Sequence, residues 1–198
     1  MFHYIQGALS IKQPTQIVLD VQGVGYELSI PISTYQKLPD LNQQVKLLTH
    51  FHIREDAQQL FGFYTEAERT LFRVLTSVSG IGPKVGLAML SSVEVSDIKM
   101  AIVGGDLTVL TAIPGIGKKT AERIVVELKE KIVVDEIDKK NRAALGSDGD
   151  EALSLGVAAL TQLGYKKVDA DKVIRKVIEK EGTDISVELL LKESLKNI

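Results

Sequence analysis

LTSVSGIGPKVGLAML, from Leu75 to Leu90, and LTAIPGIGKKTAERIV, from Leu110 to Val125, are two copies of one pattern set 35 residues apart. Each puts an apolar pair before Gly-Ile-Gly, a Lys soon after it, and then residues at helical spacing. The predicted unit, made twice, is helix, tight turn, helix. A short turn built on two glycines presents backbone amides at the start of the following helix. There the unpaired N–H groups and the positive end of the helix dipole favour a phosphate. Two such sites at a fixed spacing point to a polyanion as the ligand.

The copies are not equal. In the second, the amides from Gly117 to Thr120 open a helix, and Lys118, Lys119, Arg123 and the Thr120 hydroxyl are candidates to reach a phosphate oxygen. In the first, Pro83 takes the place of Lys118, which removes one donor and one cation and leaves Lys84. The second hairpin is therefore expected to bind more tightly. Gly80, Gly82, Gly115 and Gly117 are expected to be required, because a side chain there blocks positive φ or keeps the phosphate at a distance. Other phosphate motifs fail on the letters. A P-loop counted back from Gly117 meets Ala112 where its first Gly belongs, and Lys119 where Ser or Thr must follow Lys118. A dinucleotide fingerprint counted from Gly80 meets Val85 in place of its last Gly. For one copy alone, a helical corner used only for packing is an equal alternative. Duplication with a lysine after each turn favours the ligand-binding reading.

Composition narrows the class. Of 198 residues 44% are hydrophobic and 25% charged, ordinary values for a globular chain, and no run approaches the roughly 20 apolar residues that span a bilayer. The start, MFHYIQGALSI, lacks the basic opening and apolar stretch of a secretory signal, and there is no cysteine. The expectation is a cytoplasmic location without disulfides, thiolate catalysis or Cys-rich zinc sites. His3, His50 and His52 are too few and too poorly spaced for a metal site, and His50 and His52 alternate along one face of a predicted strand. A formal net charge of −2 argues against coating nucleic acid by bulk electrostatics. Residues 1–64 hold four Lys or Arg against five acidic residues, 65–134 nine against eight, and 135–198 eleven against thirteen. Only the segment with the repeat is net positive, and barely. Binding to DNA must then rest on placed amides and a few local cations, or on several copies of the chain acting together.

The remaining organisation comes from periodicity. Residues 1–64 alternate as short strands starting near Tyr4, Ile17, Tyr26, Val45 and Leu60, with Gly23-Val24-Gly25 and Pro39-Asp40 as turns. This suits a small five-stranded barrel. From Thr65 the period becomes helical: Thr65, Glu66 and Glu68 start a helix whose face is Leu71, Val74, Leu75 and Val78. Ser96 and Asp106 are candidate caps for the next two helices, separated by Gly104-Gly105. Residues 135–150, rich in charge and poor in large apolar side chains, read as a flexible linker. Residues 151–198 give three helical patterns broken at Gly164-Tyr165 and Gly182-Thr183, with Leu153, Leu160, Val173, Val177, Leu189 and Leu190 as their core. The fold class is multidomain α+β.

Gly23-Val24-Gly25-Tyr26-Glu27, Arg54-Glu55-Asp56-Ala57-Gln58, Glu68-Arg69-Thr70-Leu71-Phe72 and the run from Pro114 to Arg123 occur in that order. Together they resemble the RuvA family, the Holliday junction binding subunits of the bacterial branch migration complex, over about residues 1–134. The C-terminal resemblance is looser and rests on Leu163-Gly164-Tyr165 after an acidic linker. What the resemblance implies is an OB-fold barrel (1–64) for oligomerisation and the junction centre, a tandem helix-hairpin-helix DNA-binding domain (65–134), and a three-helix motor-binding domain (151–198). It implies a homotetramer or octamer whose hairpins grip the minor-groove side of four DNA arms without sequence preference. Implied partners are four-way junction DNA, the RuvB hexameric ATPase through residues 151–198, and the RuvC resolvase, in recombination, repair and the SOS response. No catalytic residue, cofactor or metal is implied. Glu55 and Asp56 would form the family's acidic pin, whose repulsion of crossing phosphates favours an open junction; without the resemblance, Arg54-Glu55-Asp56 reads as a solvated turn. Two other classes stay open. A hairpin-containing glycosylase or nuclease needs a catalytic carboxylate or lysine beside the hairpins and a base pocket, and an adaptor would use the hairpins to bind protein.

Overall fold

Alternating apolar residues build the N-terminal part. β1 (Tyr4–Lys12), β2 (Gln16–Val21), β3 (Val24–Ser29), β4 (Gln44–Ile53) and β5 (Gln58–Phe63) close a barrel in the order β1-β2-β3-β5-β4. Ile5, Leu9, Ile17, Leu19, Leu28, Ile30, Val45 and Leu47 turn inward and are buried, as a period of two requires. Neighbouring strands are antiparallel except β3 and β5, which meet in parallel at Ser29 and Phe61. The computed structural model describes residues 2–55, 57–144, 148–182 and 185–197, with 134–144, 148–152, 154 and 167 described as backbone alone.

One turn differs from the sequence reading. Gln22 and Gly23, with φ of 54° and 86°, make the β2–β3 loop, and Asp20 Oδ1 accepts the Gly23 N–H at 2.9 Å. Val24 and Gly25, expected in the turn, are instead paired with Val21 and Asp20. Two residues of positive φ match the right-handed twist of the flanking strands, so the shorter loop prevails.

A short helix, α1 (Ile32–Tyr35), links β3 to β4. The helical part holds α2 (Glu66–Thr76), α3 (Pro83–Ser92), α4 (Val95–Gly104), α5 (Leu107–Thr111) and α6 (Lys118–Ala144). Thr65 and Glu68 form a reciprocal capping box at α2, and Asp106 accepts the Thr108 and Val109 N–H groups at α5. Ser96, expected as a cap, lies inside the first turn of α4; the cap position is Glu94, whose carbonyl already accepts the Asp97 and Ile98 N–H groups. Leu71, Phe72, Leu75, Val78, Met89, Ile98, Leu110, Ile124 and Leu128 share one core with Phe61 and Phe63 of β5. The barrel's last strand thus also belongs to the helical core, and Met1–Val133 is one unit.

Residues 135–150, expected as a linker, are largely helical. α6 continues to Ala144 and α7 (Asp148–Gln162) begins at Asp148. The reason is local: no Gly or Pro occurs from Lys118 to Leu145, Glu, Lys, Arg and Ala favour helix, and Asp135/Lys139 and Glu136/Lys140 have i,i+4 spacing. The second unit, Val134–Ile198, contains α7, α8 (Lys167–Glu181) and α9 (Val187–Lys196). Its core is Val157, Leu160, Ala170, Ile174, Val177 and Leu190. Ile174 replaces the expected Val173, and Leu189 is 45% exposed, because Leu190 fills the inward position of α9. Thr183, expected as part of a helix break, lies outside the described residues. Among the described residues no helix is long and apolar enough to cross a membrane.

Candidate nucleic-acid interface

The duplicated sequence folds into duplicated turns. Ile81 donates its N–H to the Val78 carbonyl at 3.0 Å, and Ile116 donates to Ile113 at 3.1 Å. Gly86 and Ala121 then donate to the Gly82 and Gly117 carbonyls at 3.0 and 2.9 Å, opening α3 and α6. Gly80 and Gly115 have φ of +92° and +90°, a region that strains any L side chain. The central isoleucines are buried, at 4% and 5% exposure, and anchor each turn in the helical core.

Amides and cations are what the turns present outward. Gly82 caps α3 without a side-chain hydrogen bond, and neither α3 nor α6 carries an acidic residue in its first turn. The N–H groups of Lys84 and Val85, and those of Lys118, Lys119 and Thr120, are therefore the unpaired first-turn donors that attract an anion. A Cβ at Gly82 or Gly117 would meet nothing within 4 Å. At those two places the packing of the fold leaves room for a side chain. Lys84, Lys118 and Lys119 are exposed and Thr120 is half-buried; among the described residues no ion pair holds the three lysines.

Arg123 has a different setting from the one expected of it. Its Nη1 donates to the Ser79 carbonyl at 3.0 Å, across from the second hairpin to the first, and its Nε lies 4.0 Å from Glu127 Oε1. In the other direction, a Cβ on Gly115 would sit 3.4 Å from Val85 Cγ2 of α3. Each hairpin leans on the leading glycine turn of the other.

Glu55 lies at the barrel. Arg54 N–H donates to the Ala57 carbonyl at 2.8 Å and closes the β4–β5 turn, where Glu55 is exposed; Asp56 lies outside the described residues. Arg54 Nε donates to His52 Nε2 at 3.1 Å. Burial against Phe61 and Phe72, followed by the positive charges of Arg73, His52 and Arg69, holds the His50 imidazole below the ordinary histidine pKa. These rings line a strand face as expected, and no group of potential metal ligands occurs among the described residues.

In the sequence, Glu68 and Arg69 mark only a helix start and a family motif; the structure gives them the seam between barrel and hairpins. Buried Glu68 accepts from Ser33 Oγ at 2.7 Å, Thr65 N at 2.9 Å and Thr65 Oγ1 at 3.0 Å. Arg69 Nη1 donates to the His3 carbonyl at 2.9 Å, and Nη2 donates to Glu66 Oε2 at 2.7 Å. The only signal for this seam in the sequence is a Glu-Arg pair on the helix that also carries Leu71 and Phe72.

A closed five-stranded barrel of OB type, sharing a core with two glycine-turn hairpins, defines a tandem helix-hairpin-helix protein of the nucleic-acid-binding class. Three family models match along the same divisions: RuvA N terminal domain at residues 1–62, SAM-like Helix-hairpin-helix tandem at 72–130, and RuvA, C-terminal domain at 157–198. Proteins named Holliday junction branch migration complex subunit RuvA are similar along nearly the whole chain. That of Idiomarina loihiensis is 41% identical, covering 98% of this chain and 99% of its own length. That of Pasteurella multocida is 42% identical over 99% and 98%, and that of Xanthomonas campestris 46% over 94% of each. The chain belongs to the RuvA family.

Proposed function

We propose that this protein is the junction-binding subunit of a branch migration complex, acting in the bacterial cytoplasm in recombination and DNA repair. It binds four-way junction DNA without sequence preference and couples it to an ATPase motor of the RuvB type. The observation that carries this reading is the pair of uncapped glycine turns with free lysines, Gly80, Gly82 and Lys84 in one, and Gly115, Gly117, Lys118 and Lys119 in the other. Amides and lysines directed at phosphates contact the backbone alone, which accounts for indifference to sequence. The names of the relatives support the junction as the DNA and a complex as the setting.

The weak net charge is reconciled by assembly. In a homotetramer eight hairpins act together, and each phosphate neutralised steepens the dependence of log affinity on log salt by about 0.9. Glu55, with Asp56, would then stand around the symmetry axis and repel the crossing strands into an open junction. The chain itself is a non-catalytic subunit, and ATP hydrolysis belongs to the motor. Residues 151–198 are the proposed docking domain for that motor; Leu163 and Val168 there are exposed apolar residues. RuvC-type resolvase is a further proposed partner.

The test is competition between a four-way junction and linear duplex of equal length, read with the mass of the complex. A strong preference for the junction at a mass of four or eight chains is expected; equal weak binding to both would overturn the reading. Glu55→Gln with Asp56→Asn should keep or strengthen junction binding while altering the migration rate with the motor. A plain loss of affinity would exclude the pin.

A further inference from the structure

We propose that Arg123, although it stands on the helix of the second hairpin, serves the phosphate site of the first. This rests on the reading of the hairpins as phosphate sites. The first turn has one cation fewer than the second, because Pro83 stands where the second has Lys118, and Lys84 is what remains. Arg123 Nη1 donates to the Ser79 carbonyl at 3.0 Å and lies 4.0 Å from where a Cβ on Gly80 would be. The guanidinium is thus held against the residue that leads the first Gly-Ile-Gly turn. One of its five N–H donors is used there, Nε is near Glu127, and Nη2 has no protein partner among the described residues. Its charge and spare donors are therefore available beside the first turn.

The arrangement runs one way. The residue of the first copy that corresponds to Arg123 is Ala88, which cannot return the contact. The second hairpin holds Lys118 and Lys119 of its own and lends Arg123 to its neighbour. The same hydrogen bond ties the two turns together, so Arg123 also fixes the spacing between the two phosphate sites. The expected inequality of the hairpins is thereby reduced.

Phosphate-ethylation interference on a four-way junction, with affinity measured in parallel on the full chain, tests this. The phosphates whose ethylation blocks binding are mapped for the unchanged protein and for Arg123→Ala, Lys84→Ala and Lys118→Ala. Arg123→Ala should erase the interference positions that Lys84→Ala erases and spare those of Lys118→Ala. Arg123→Ala and Lys84→Ala should each weaken binding about tenfold, and their combination by little more than either alone. If Arg123→Ala erases the Lys118 positions instead, or multiplies fully with Lys84→Ala, the assignment is overturned. Should Arg123→Ala fail to fold, Arg123→Gln, which keeps an amide donor without the charge, is held to the same two outcomes. If neither Lys84→Ala nor Lys118→Ala changes the map, the phosphate reading of the hairpins falls and this inference with it; normal lysine maps with a misplaced Arg123 map sink the inference alone.

Discussion

Between Leu75 and Leu90 the chain makes the same turn as between Leu110 and Val125. The leading glycines have φ of +92° and +90°, and the paired hydrogen bonds agree to 0.1 Å. After the second glycine, Pro83 in the first takes the place of Lys118 in the second, while Lys84 and Lys119 correspond. The leading glycine, with positive φ, and the buried isoleucine shape each hairpin, while the second glycine and the two residues after it are the proposed ligand contacts. A duplicated unit can therefore keep its shape while the charge beside its two turns differs, and a side chain such as Arg123 can reach from one turn to the other.

The strongest way to break this equivalence is at the anchors. Ile81→Ala and Ile116→Ala should each cost about 2–4 kcal/mol, because each truncates a buried side chain in the same core. Urea denaturation measures both, and a much smaller cost at one would show that the two turns are not anchored alike. Next come the leading glycines. Gly80→Ala and Gly115→Ala should cost roughly 1–2 kcal/mol for the positive φ. The two should cost about the same, since an added Cβ meets only ordinary contacts, Val85 Cγ2 at 3.4 Å and Arg123 Nη1 at 4.0 Å. Gly82→Ala and Gly117→Ala should leave the urea midpoint nearly unchanged while weakening junction binding.

Charge sharpens the comparison further. Replacing Lys118 and Lys119 together by Ala should flatten the salt slope of junction binding by about 1.8, against about 0.9 for Lys84→Ala, if each lysine neutralises one phosphate. Equal flattening would mean that the outward residues do not distinguish the hairpins. The smallest effect is expected at the seam that serves both. His50 has its folded pKa held down, so its neutral form is favoured in the native state. Stability from this source is complete above the unfolded histidine pKa of about 6.5 and falls as pH drops below it, where the unfolded chain takes up a proton that the folded one resists. Denaturation midpoints between pH 7.5 and 5.5 should fall slightly less for His50→Gln than for the unchanged protein.

Much of the architecture is legible in the sequence because its causes are local. Alternation at Ile17, Leu19 and Leu28, and the helical face of Leu71, Leu75 and Val78, each fall within a short window, and both sets are buried as expected. The Asp106 cap is equally local, reaching only two and three residues ahead. Where structure and sequence part, a second possibility competes. Gly23-Val24-Gly25 offers two ways to turn, and strand register selects one. The charged run after Val134 has the composition of a linker, but helix propensity without Gly or Pro extends α6 to Ala144. Glu68 and Arg69 look like ordinary surface charges of a first turn, since nothing nearby in sequence announces Ser33 or His3 as their partners.

Turn chemistry and hydrophobic period act over a few neighbouring residues, so the order of amino acids alone specifies the two turns, their glycines, the lysines beside them and the barrel before them. Three contacts depend instead on the folded arrangement: Arg123 crossing to the first hairpin, Val85 meeting Gly115, and Arg69 tying α2 to His3. They join residues 30 to 66 positions apart, and no local pattern encodes a partner that the chain reaches only after its core has closed.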